Sequence, residues 1–379
     1  MARVLFTSCP LYGHLLPMLP LIRAAERVGH EVRIATGPDL AAPLVDRGLD
    51  VVPVGPTFAR SWSAHEAVWR NPELADERKM MDGLVALFGE PGLARYADLA
   101  SLTGEWRPDL VVHDVLETAG PLLARSLGVP GIVHGIGPMF PFYAELMGPV
   151  GAAIGEPDLW VQASSEHALD ICPPALQPDG SPPWPGAAPV RPSAGEPGPV
   201  PADVAEALAA DAPIAYFTLG TVKNSDAADV RTGLTALAGY DGVVVATTGR
   251  PLGPDELGPL PANAVLAEFV PQAEVLSRAD LLVSHSGSGT MLGGLVHGVP
   301  QVALPRGTDQ PENAALLARA GAGVVVGAED FAVETIREAV SQVTDDPAYR
   351  VAAERVRDEI AAMPDAEAAW AELGIERSG

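Results

Sequence analysis

The chain has 379 residues, of which 47% are hydrophobic and 19% are charged, so it is long enough for two globular domains, each with its own core. Its formal net charge of -25 argues against a nucleic-acid-binding protein and against a protein that binds anionic membranes. The two cysteines, Cys9 and Cys172, show no metal-ligand spacing, and no apolar run approaches the length of a membrane span, which predicts a reduced cytoplasmic protein without a membrane partner.

The first half of the chain alternates short apolar runs with segments of helical periodicity. Residues 2–8 predict a buried strand, and residues 15–28 predict a helix whose apolar side chains recur every three or four positions. The turn between them contains Gly13 and His14. Further strands are predicted at residues 31–36, 50–54, 108–114 and 131–134, and further helices at residues 40–47 and 117–127. This order is typical of a parallel sheet covered by helices.

Residues 58–106 depart from this alternation, because their pattern is mostly helical. The methionine and aromatic side chains in this segment suit either a helical insertion packed on the sheet or one wall of a pocket for a bulky apolar ligand. Residues 140–143 are also apolar enough to line such a pocket, or to belong to the core. The candidate pocket residues are Trp62, Met80, Phe88, Phe140 and Phe142.

A region rich in proline and glycine, residues 173–201, separates this half from a second alternating half. We predict an N-terminal domain at residues 1–185, a linker at 186–212, a C-terminal domain at 213–355, and a C-terminal helix at 356–379 that packs on the N-terminal domain. Both domains are predicted to be α/β with parallel sheets, whose ligand sites lie at the carboxyl ends of the strands.

The most informative segment is residues 281–313. A predicted strand ends at Ser284, and the turn that follows, from His285 to Thr290, is rich in glycine and hydroxyl groups and opens a helix. The free N–H groups and the positive end of such a helix bind anions, and glycine lets a phosphate approach the backbone. After the next strand, Asp309 and Gln310 place a carboxylate beside an amide, and both groups can hydrogen-bond to sugar hydroxyls. The two features together indicate a binding site for a nucleotide sugar.

The order of three motifs strengthens this interpretation. Phe269-Val270-Pro271-Gln272 is followed by His285-x-Gly-x-Gly-Thr290 and then by Asp309-Gln310-x-x-Asn313. In this order and at this spacing, the segment closely resembles the donor-binding signature of the GT-B nucleotide-sugar glycosyltransferases, and in particular the bacterial enzymes that glycosylate antibiotics and other natural products. The resemblance implies two Rossmann-like domains facing across a cleft. One departure is Ser286, where many relatives have glycine.

The resemblance also implies which residues bind the donor. The residues that would contact its phosphates, base and ribose are Thr218, Gly220, Thr221, Val270, Gln272, His285, Gly287, Ser288, Gly289 and Thr290. Among these, His285 would donate to the leaving phosphate, and Val270 and Gln272 would lie near the base and ribose. The sugar hydroxyls would be bound by Asp309 and Gln310.

A histidine and an aspartate in the first half match the catalytic pair of this family. The segment Gly13-His14-Leu15-Leu16-Pro17 resembles the family's GHxxP turn, whose histidine removes the proton of the acceptor hydroxyl. Asp114 ends the predicted strand at residues 108–114, where a carboxylate would hold the ring N–H of His14. The alternative for Asp114 is an N-cap of the following helix.

The predicted reaction is an in-line displacement at the anomeric carbon with inversion, onto a hydroxyl of a bulky apolar small molecule. No Asp-x-Asp pair or metal-ligand cluster stands out, so we predict no metal and no cofactor, with a dTDP- or UDP-linked sugar as co-substrate. The first turn lacks the G-x-G-x-x-G of a dinucleotide-dependent oxidoreductase. A nucleotide-sugar epimerase of the same fold and a non-catalytic glycosyltransferase-like partner protein remain alternatives. The chain could be a monomer or a homodimer.

Overall fold

The computed structural model describes residues 1–140, 142–160, 167–178, 186–220 and 226–373, apart from the side chains of Phe142, Ala144 and Pro254. Within these residues the chain forms two compact units. The N-terminal unit contains residues 1–172, 186–190 and 364–373, and the C-terminal unit contains residues 173–178 and 191–363. Each unit has one parallel β-sheet, which confirms the predicted α/β class with two parallel-sheet domains.

The sheet of the N-terminal unit has seven parallel strands. They are β1 (Arg3–Thr7), β2 (Glu31–Thr36), β3 (Val51–Pro53), β4 (Leu110–Asp114), β5 (Gly131–His134), β6 (Ala168–Asp170) and β7 (Ala188–Pro189). Their order is β3-β2-β1-β4-β5-β6-β7, so β1 and β4 are neighbours, with Thr7 paired to His113. Every residue of β4 is buried, as expected for a parallel strand that is covered on both faces.

The helices of the first part of the chain belong to the N-terminal unit, and α2, α3 and α7 pack against its sheet. They are α1 (Tyr12–Leu15), α2 (Leu19–Arg27), α3 (Pro38–Val45), α4 (Phe58–Arg70), α5 (Asp76–Leu84), α6 (Glu90–Leu102), α7 (Ala119–Leu127) and α8 (Phe142–Ala153). The single helix predicted at residues 15–28 is instead α1, a 3₁₀ turn (Leu16–Met18) and α2. The interruption follows from Pro17 and Pro20, which have no N–H to donate to a regular helix.

The predicted helical insertion consists of α4, α5 and α6, and it contains an irregular turn. A π turn (Val85–Gly89) joins α5 to α6, and in it the N–H of Glu90 donates to the carbonyl of Val85. Pro91 follows directly, and since proline has no N–H and its ring clashes with a regular helical carbonyl, a widened turn accommodates it. The carbonyl of Phe88 also accepts a hydrogen bond of 2.9 Å from Thr118 Oγ1.

The sheet of the C-terminal unit has six parallel strands. They are β8 (Ile214–Thr218), β9 (Val243–Thr247), β10 (Ala264–Ala267), β11 (Leu281–Ser284), β12 (Gln301–Ala303) and β13 (Gly323–Val325), in the order β10-β9-β8-β11-β12-β13. The helices are α9 (Ala202–Ala209), α10 (Ala227–Leu237), α11 (Pro254–Leu257), α12 (Gln272–Leu276), α13 (Ser288–Val296), α14 (Gln310–Arg319), α15 (Val333–Asp345) and α16 (Pro347–Ala362), with 3₁₀ turns at Pro174–Leu176 and Ala328–Asp330.

The segment suggested as a linker, residues 186–212, carries two regular elements. β7 is the edge strand of the N-terminal sheet, and α9 buries Val204 and Ala207 in a core of the C-terminal unit. One change of the chain from one unit to the other occurs within this segment, between Val190 and Arg191. Proline and glycine content gave no sign of the strand and the helix in this region.

The predicted C-terminal helix is two helices that belong to different units. The boundary suggested at residue 355 falls inside α16, which belongs to the C-terminal unit. A final helix, α17 (Ala366–Glu372), belongs to the N-terminal unit, where Trp370 Nε1 donates to the carbonyl of Leu21 at 2.7 Å. Within the described ranges, the structure has no helix that combines the length and the apolar character needed to cross a membrane.

Candidate functional site

His14 and Asp114 lie side by side because they follow neighbouring strands of one parallel sheet. His14 is on α1, directly after β1, and Asp114 is the last residue of β4. The distance from His14 Nδ1 to Asp114 Oδ1 is 3.0 Å. Since an ionised carboxylate can only accept, Nδ1–H of His14 is the donor, and Nε2 is left as the acceptor of the neutral ring. The pair has the arrangement of a general base and the carboxylate that orients it.

Asp114 is fully buried, and every hydrogen bond it accepts favours its charged form. Its Oδ2 accepts from the N–H of Cys9 at 2.7 Å, and its Oδ1 accepts from the N–H of Leu116 at 2.8 Å as well as from His14. Burial by itself raises the pKa of Asp114, but the charge on His14 and these hydrogen bonds outweigh burial and bring the pKa below its ordinary value. The alternative of a helix N-cap is not found, because α7 begins at Ala119 with Thr118 as its N-cap residue.

Among the candidate pocket residues, the structure places Phe88 beside His14. The centroids of the two rings are 6.5 Å apart, and Phe88 lies half-buried in the π turn. Trp62 belongs to a row of aromatic rings along α4, where it stacks on His65 with centroids 5.1 Å apart. Met80 is 51% exposed on α5, whereas Phe140 is 6% exposed and packs against Tyr143. Phe140 therefore belongs to the core, and the side chain of Phe142 lies outside the described residues.

The donor-side candidates surround the start of α13. Thr218 and Ser284 are paired residues at the ends of β8 and β11, and the turn that follows β11 leads into α13 with Gly287 as its N-cap. The N–H groups in the first turn of a helix have no partner within the helix, so those of Ser288 and Gly289 are available to an anion at this end. A Cβ placed on Gly289 would meet no atom within 4 Å, so the space beside this glycine is open.

The ring of His285 lies close to Gly220 and Gly287. A larger residue at either glycine position would require the His285 ring to move. A Cβ on Gly220 would lie 2.7 Å from Nε2 of His285, and a Cβ on Gly287 would lie 2.5 Å from the same atom. Burial lowers the pKa of His285 to about 4, although the Asp309 carboxylate and a backbone hydrogen bond with Thr218 oppose this shift. The ring is therefore neutral at pH 7 and can donate only one N–H to an anion.

Asp309 is tied to the turn before α13 by a small polar network. Its Oδ2 accepts from Ser288 Oγ at 2.8 Å and from Asn313 Nδ2 at 2.9 Å. The same amide of Asn313 also donates to the carbonyl of Ser286 at 3.1 Å and to Ser288 Oγ at 3.0 Å. Asn313 is fully buried. The sequence placed Asn313 in a motif but gave it no role, and the structure shows that it joins the two donor-side loops.

The remaining donor-side candidates differ in how well they suit ligand contact. Gln310 Oε1 accepts from the N–H of Arg306 at 2.8 Å, and Gln272 Oε1 lies 3.5 Å from Thr290 Oγ1, so these two amides also hold the loops around α13. Val270, which is predicted to lie near the base and ribose, has a side chain that is 2% exposed and belongs to the core, so its contact with the donor stays a prediction. Thr221 lies outside the described residues.

Within the described part of the chain, one group of side chains is close enough to share a metal ion: Cys9, His14 and Asp114, whose ligand atoms lie within 4.8 Å of one another. Burial and the nearby carboxylates of Asp114 and Glu117 raise the pKa of the Cys9 thiol well above its ordinary value. A cysteine binds a metal as its thiolate, which the raised pKa of Cys9 disfavours, and both oxygens of Asp114 are already hydrogen-bonded. The three residues fit a hydrogen-bonded catalytic pair better than a metal site.

The sequence matches family models for the two domains of the erythromycin biosynthesis protein CIII-like family. The N-terminal domain matches residues 23–184, and the C-terminal domain matches residues 231–372. L-demethylnoviosyl transferase of Streptomyces niveus is 30% identical over 381 residues, which cover 96% of this chain and 95% of that protein. The chain belongs to the erythromycin biosynthesis protein CIII-like family of glycosyltransferases.

Solved structures agree with membership of the CIII-like family. Spinosyn rhamnosyltransferase SpnG complexed with thymidine diphosphate superposes with a TM-score of 0.80 at 27% identity, over 98% of this chain and 100% of that chain. The complex of the same protein with spinosyn aglycone also gives a TM-score of 0.80 at 27% identity, over 99% and 100%. This CIII-like protein is thus a glycosyltransferase of the antibiotic-biosynthesis type with two parallel-sheet GT-B domains, as the sequence predicted.

Proposed function

We propose that the protein transfers a sugar from a dTDP- or UDP-linked donor to a hydroxyl of a bulky apolar small molecule, with inversion at the anomeric carbon. The buried pair of His14 and Asp114, with Nδ1 and Oδ1 at 3.0 Å, is the observation that carries this proposal. SpnG, which has been solved with thymidine diphosphate and with an aglycone, supports a thymidine nucleotide and an apolar acceptor. The protein would act in the cytoplasm, as a monomer or a homodimer.

On the acceptor side, His14 would act as the general base. Its Nε2 accepts the proton of the acceptor hydroxyl while Nδ1–H remains hydrogen-bonded to Asp114, whose negative charge stabilises the imidazolium that forms. Phe88 borders the ring of His14 and would contact the apolar body of the acceptor. The acceptor oxygen then forms a bond to the anomeric carbon as the bond from that carbon to the diphosphate breaks, in one displacement with inversion.

On the donor side, the first turn of α13 would bind the diphosphate. The N–H groups of Ser288 and Gly289 and the positive helix end stabilise the charge that develops on the leaving group. His285 would donate a single N–H as a neutral ring. Asp309 has a second carboxylate oxygen, Oδ1, which accepts from Thr308 Oγ1 at 3.0 Å and can exchange that exposed partner for a sugar hydroxyl. We propose that these groups suffice without a metal ion or another cofactor.

A nucleotide-binding experiment tests the donor half of the proposal. Purified protein is titrated with dTDP, UDP, NAD and a dTDP- or UDP-linked sugar in a thermal-shift assay, and Asp309→Ala is compared with Asp330→Ala, an exposed aspartate of the same unit. We expect saturable stabilisation by one diphosphonucleoside and none by NAD, with the effect reduced in Asp309→Ala when the sugar nucleotide is used. The absence of a response to both dTDP and UDP would remove the basis of the proposal.

An acceptor screen with the preferred donor tests the reaction itself. We expect glycoside formation to fall by about 10²–10⁴-fold in His14→Ala, since general base catalysis contributes this much, and to fall also in Asp114→Asn, which removes the charge that stabilises the imidazolium. The configuration of the product at the anomeric carbon, read by NMR, should be opposite to that of the donor, and EDTA should leave the rate unchanged. Epimerised donor without a glycoside would instead identify an epimerase.

A further inference from the structure

A fully buried ion pair lies next to the proposed catalytic pair. Arg95, on α6, is 1% exposed, and Glu117, in the loop between β4 and α7, is 0% exposed. Arg95 Nε donates to Glu117 Oε1 at 3.2 Å, and Arg95 Nη2 lies 3.0 Å from Glu117 Oε2. Buried charges carry a large desolvation penalty, so a pair in this position needs an explanation beyond stability.

The ion pair holds the same loop that holds Asp114. Glu117 Oε1 accepts from the N–H of Ala119 at 2.7 Å, and the N–H of Glu117 donates to the carbonyl of Asp114 at 3.1 Å. The N–H of Leu116, between these two residues, donates to the Asp114 carboxylate. The position of Glu117 therefore fixes one of the two peptide groups that orient Asp114.

The other peptide group that orients Asp114 is also next to the ion pair. The N–H of Cys9 donates to Asp114 Oδ2, and the Sγ of Cys9 lies 3.9 Å from Arg95 Nη2 and 3.5 Å from the carbonyl of Leu116. Arg95, on a helix of the insertion, thus contacts both segments that donate to Asp114. Movement of its guanidinium would disturb both donors at once.

The charges around Asp114 come from few groups. His113 precedes Asp114 on β4 and His134 is its register partner on β5, and burial lowers the pKa of each to about 4, so both are neutral at pH 7. The Cys9 thiol is protonated, because burial raises its pKa. Burial raises the pKa of Glu117, and the Arg95 guanidinium and the N–H of Ala119 oppose this shift. With Glu117 as the carboxylate partner of Arg95, the charged groups in the described surroundings of His14 are Asp114, Arg95 and Glu117. Because Arg95 and Glu117 cancel each other, the net charge that His14 experiences is that of Asp114.

We propose that Arg95 and Glu117 are positioning residues for the general base: their ion pair fixes the two peptide donors to Asp114 and leaves Asp114 as the net charge acting on His14. This inference rests on the proposed function of His14. It assigns a role in the reaction to two residues that do not touch the substrate.

The pH dependence of kcat/KM in Glu117→Gln tests the electrostatic part. This nearly isosteric change leaves the positive charge of Arg95 uncompensated beside the catalytic pair, which disfavours the imidazolium of His14. We expect the acid limb of the pH profile to move down by about one pH unit and the plateau kcat to fall by about tenfold, because a weaker base removes the proton less readily. The double variant Arg95→Met/Glu117→Gln removes both charges and should return the acid limb to its wild-type position.

Two further variants control this experiment. Glu156→Gln removes the carboxylate of an exposed ion pair with Arg125 in the same unit and should leave the acid limb in place. Arg95→Lys keeps the charge but loses the forked contact with Glu117, so it should lower kcat without moving the acid limb. It also provides the test of positioning if Glu117→Gln does not fold. The proposal is overturned if Glu117→Gln has the wild-type acid limb, if the double variant does not restore it, or if Arg95→Lys has the wild-type kcat.

An NMR titration separates failure of this inference from failure of the proposed function. The ring nitrogens of histidine are labelled with ¹⁵N, and the His14 signal is assigned from its loss in His14→Gln. We expect the midpoint of this signal to be about one pH unit lower in Glu117→Gln than in the wild type and to be restored in the double variant. The readout requires no turnover, so an unmoved midpoint contradicts the electrostatic role even if no acceptor has been found.

Discussion

Ser288 Oγ donates to Asp309 Oδ2 at 2.8 Å, so the first residue of α13 is hydrogen-bonded to the residue that precedes α14. This bond connects the turn proposed to bind the diphosphate with the carboxylate proposed to bind the sugar. Binding of one part of the donor can therefore organise the site of the other part. The fully buried Asn313 reinforces the link by donating to both residues.

We expect Ser288→Ala to weaken the binding of a nucleotide sugar more than that of the nucleotide alone. The variant keeps the N–H groups of α13 but leaves Asp309 with one fewer donor, which costs about 1–2 kcal/mol, or about tenfold in Kd for the sugar nucleotide. Isothermal titration calorimetry with both ligands measures the difference. Ser277→Ala, which removes a hydroxyl bonded to a backbone carbonyl at the end of α12, is the matched control. Equal losses for the two ligands would contradict the connection.

Gly220, which contacts His285, and Gly289, which has open space around it, should respond in opposite ways to alanine. Gly220 has a φ of +83° and contacts His285, so Gly220→Ala should cost about 2 kcal/mol or more of unfolding free energy.

Gly289 lies in a helix with open space around it, so Gly289→Ala should stabilise the protein by about 0.5–1 kcal/mol. The same Cβ should weaken dTDP binding by about tenfold or more, since it occupies open space in the first turn, where the diphosphate is proposed to bind. Thermal unfolding and calorimetry measure the two effects. Unchanged dTDP binding in Gly289→Ala would place the phosphates elsewhere.

Ser286→Gly should stabilise the protein. Ser286 has a φ of 62°, in the left-handed region that favours glycine, and its Oγ is buried with no hydrogen-bond partner in the described part of the chain. Removal of the strain and of the buried hydroxyl should contribute about 1 kcal/mol, offset in part by the greater freedom of glycine in the unfolded chain. Urea unfolding with Ser193→Gly as a loop control checks the sign. A loss of stability would show that the hydroxyl has a role in the native state.

Three buried histidines should make the protein sensitive to acid. The pKa values of His113, His134 and His285 are each lowered by burial from 6.5 to about 4. The stability they contribute is therefore complete above pH 6.5 and is lost as the pH falls towards 4, because the unfolded chain binds the protons first. The slope is about 1.4 kcal/mol per pH unit for each histidine. In His134→Gln the slope of the unfolding free energy against pH should fall by about 1.4 kcal/mol per pH unit, which corresponds to one proton fewer bound on unfolding. A slope equal to that of the wild type would show that His134 is protonated in the folded state.

The sequence predicted the features that depend on local pattern and on motif order. Apolar runs located β1 to β5 but not β6 and β7, and the resemblance to GT-B enzymes placed His14 and Asp114 together, although they are 100 residues apart. Apolar periodicity alone could not pair them, because it does not specify that β1 is next to β4. Their catalytic roles remain predictions.

The features that the sequence did not predict depend on tertiary packing. The motif that contains Val270 does not indicate which of its side chains is turned into the core, and the structure buries that of Val270. Arg95 and Glu117 lie in segments of unremarkable composition, and only the packing of α6 against the loop after β4 brings them together. Arginine and glutamate are usually exposed, so a single sequence gives no sign that these two are buried.

The π turn at Val85–Gly89 also makes the length of the insertion critical. A π turn contains one more residue than an α-helical turn, and each residue rotates a helix by about 100°, so the turn sets which side of α6 faces the sheet. Deletion of any one of its five residues would favour a regular turn and swing the side chain of Arg95 away from Glu117. The helix could remain intact while the buried carboxylate lost its counter-ion. A change of one residue in length at this point would therefore reach the catalytic pair without altering any residue in it.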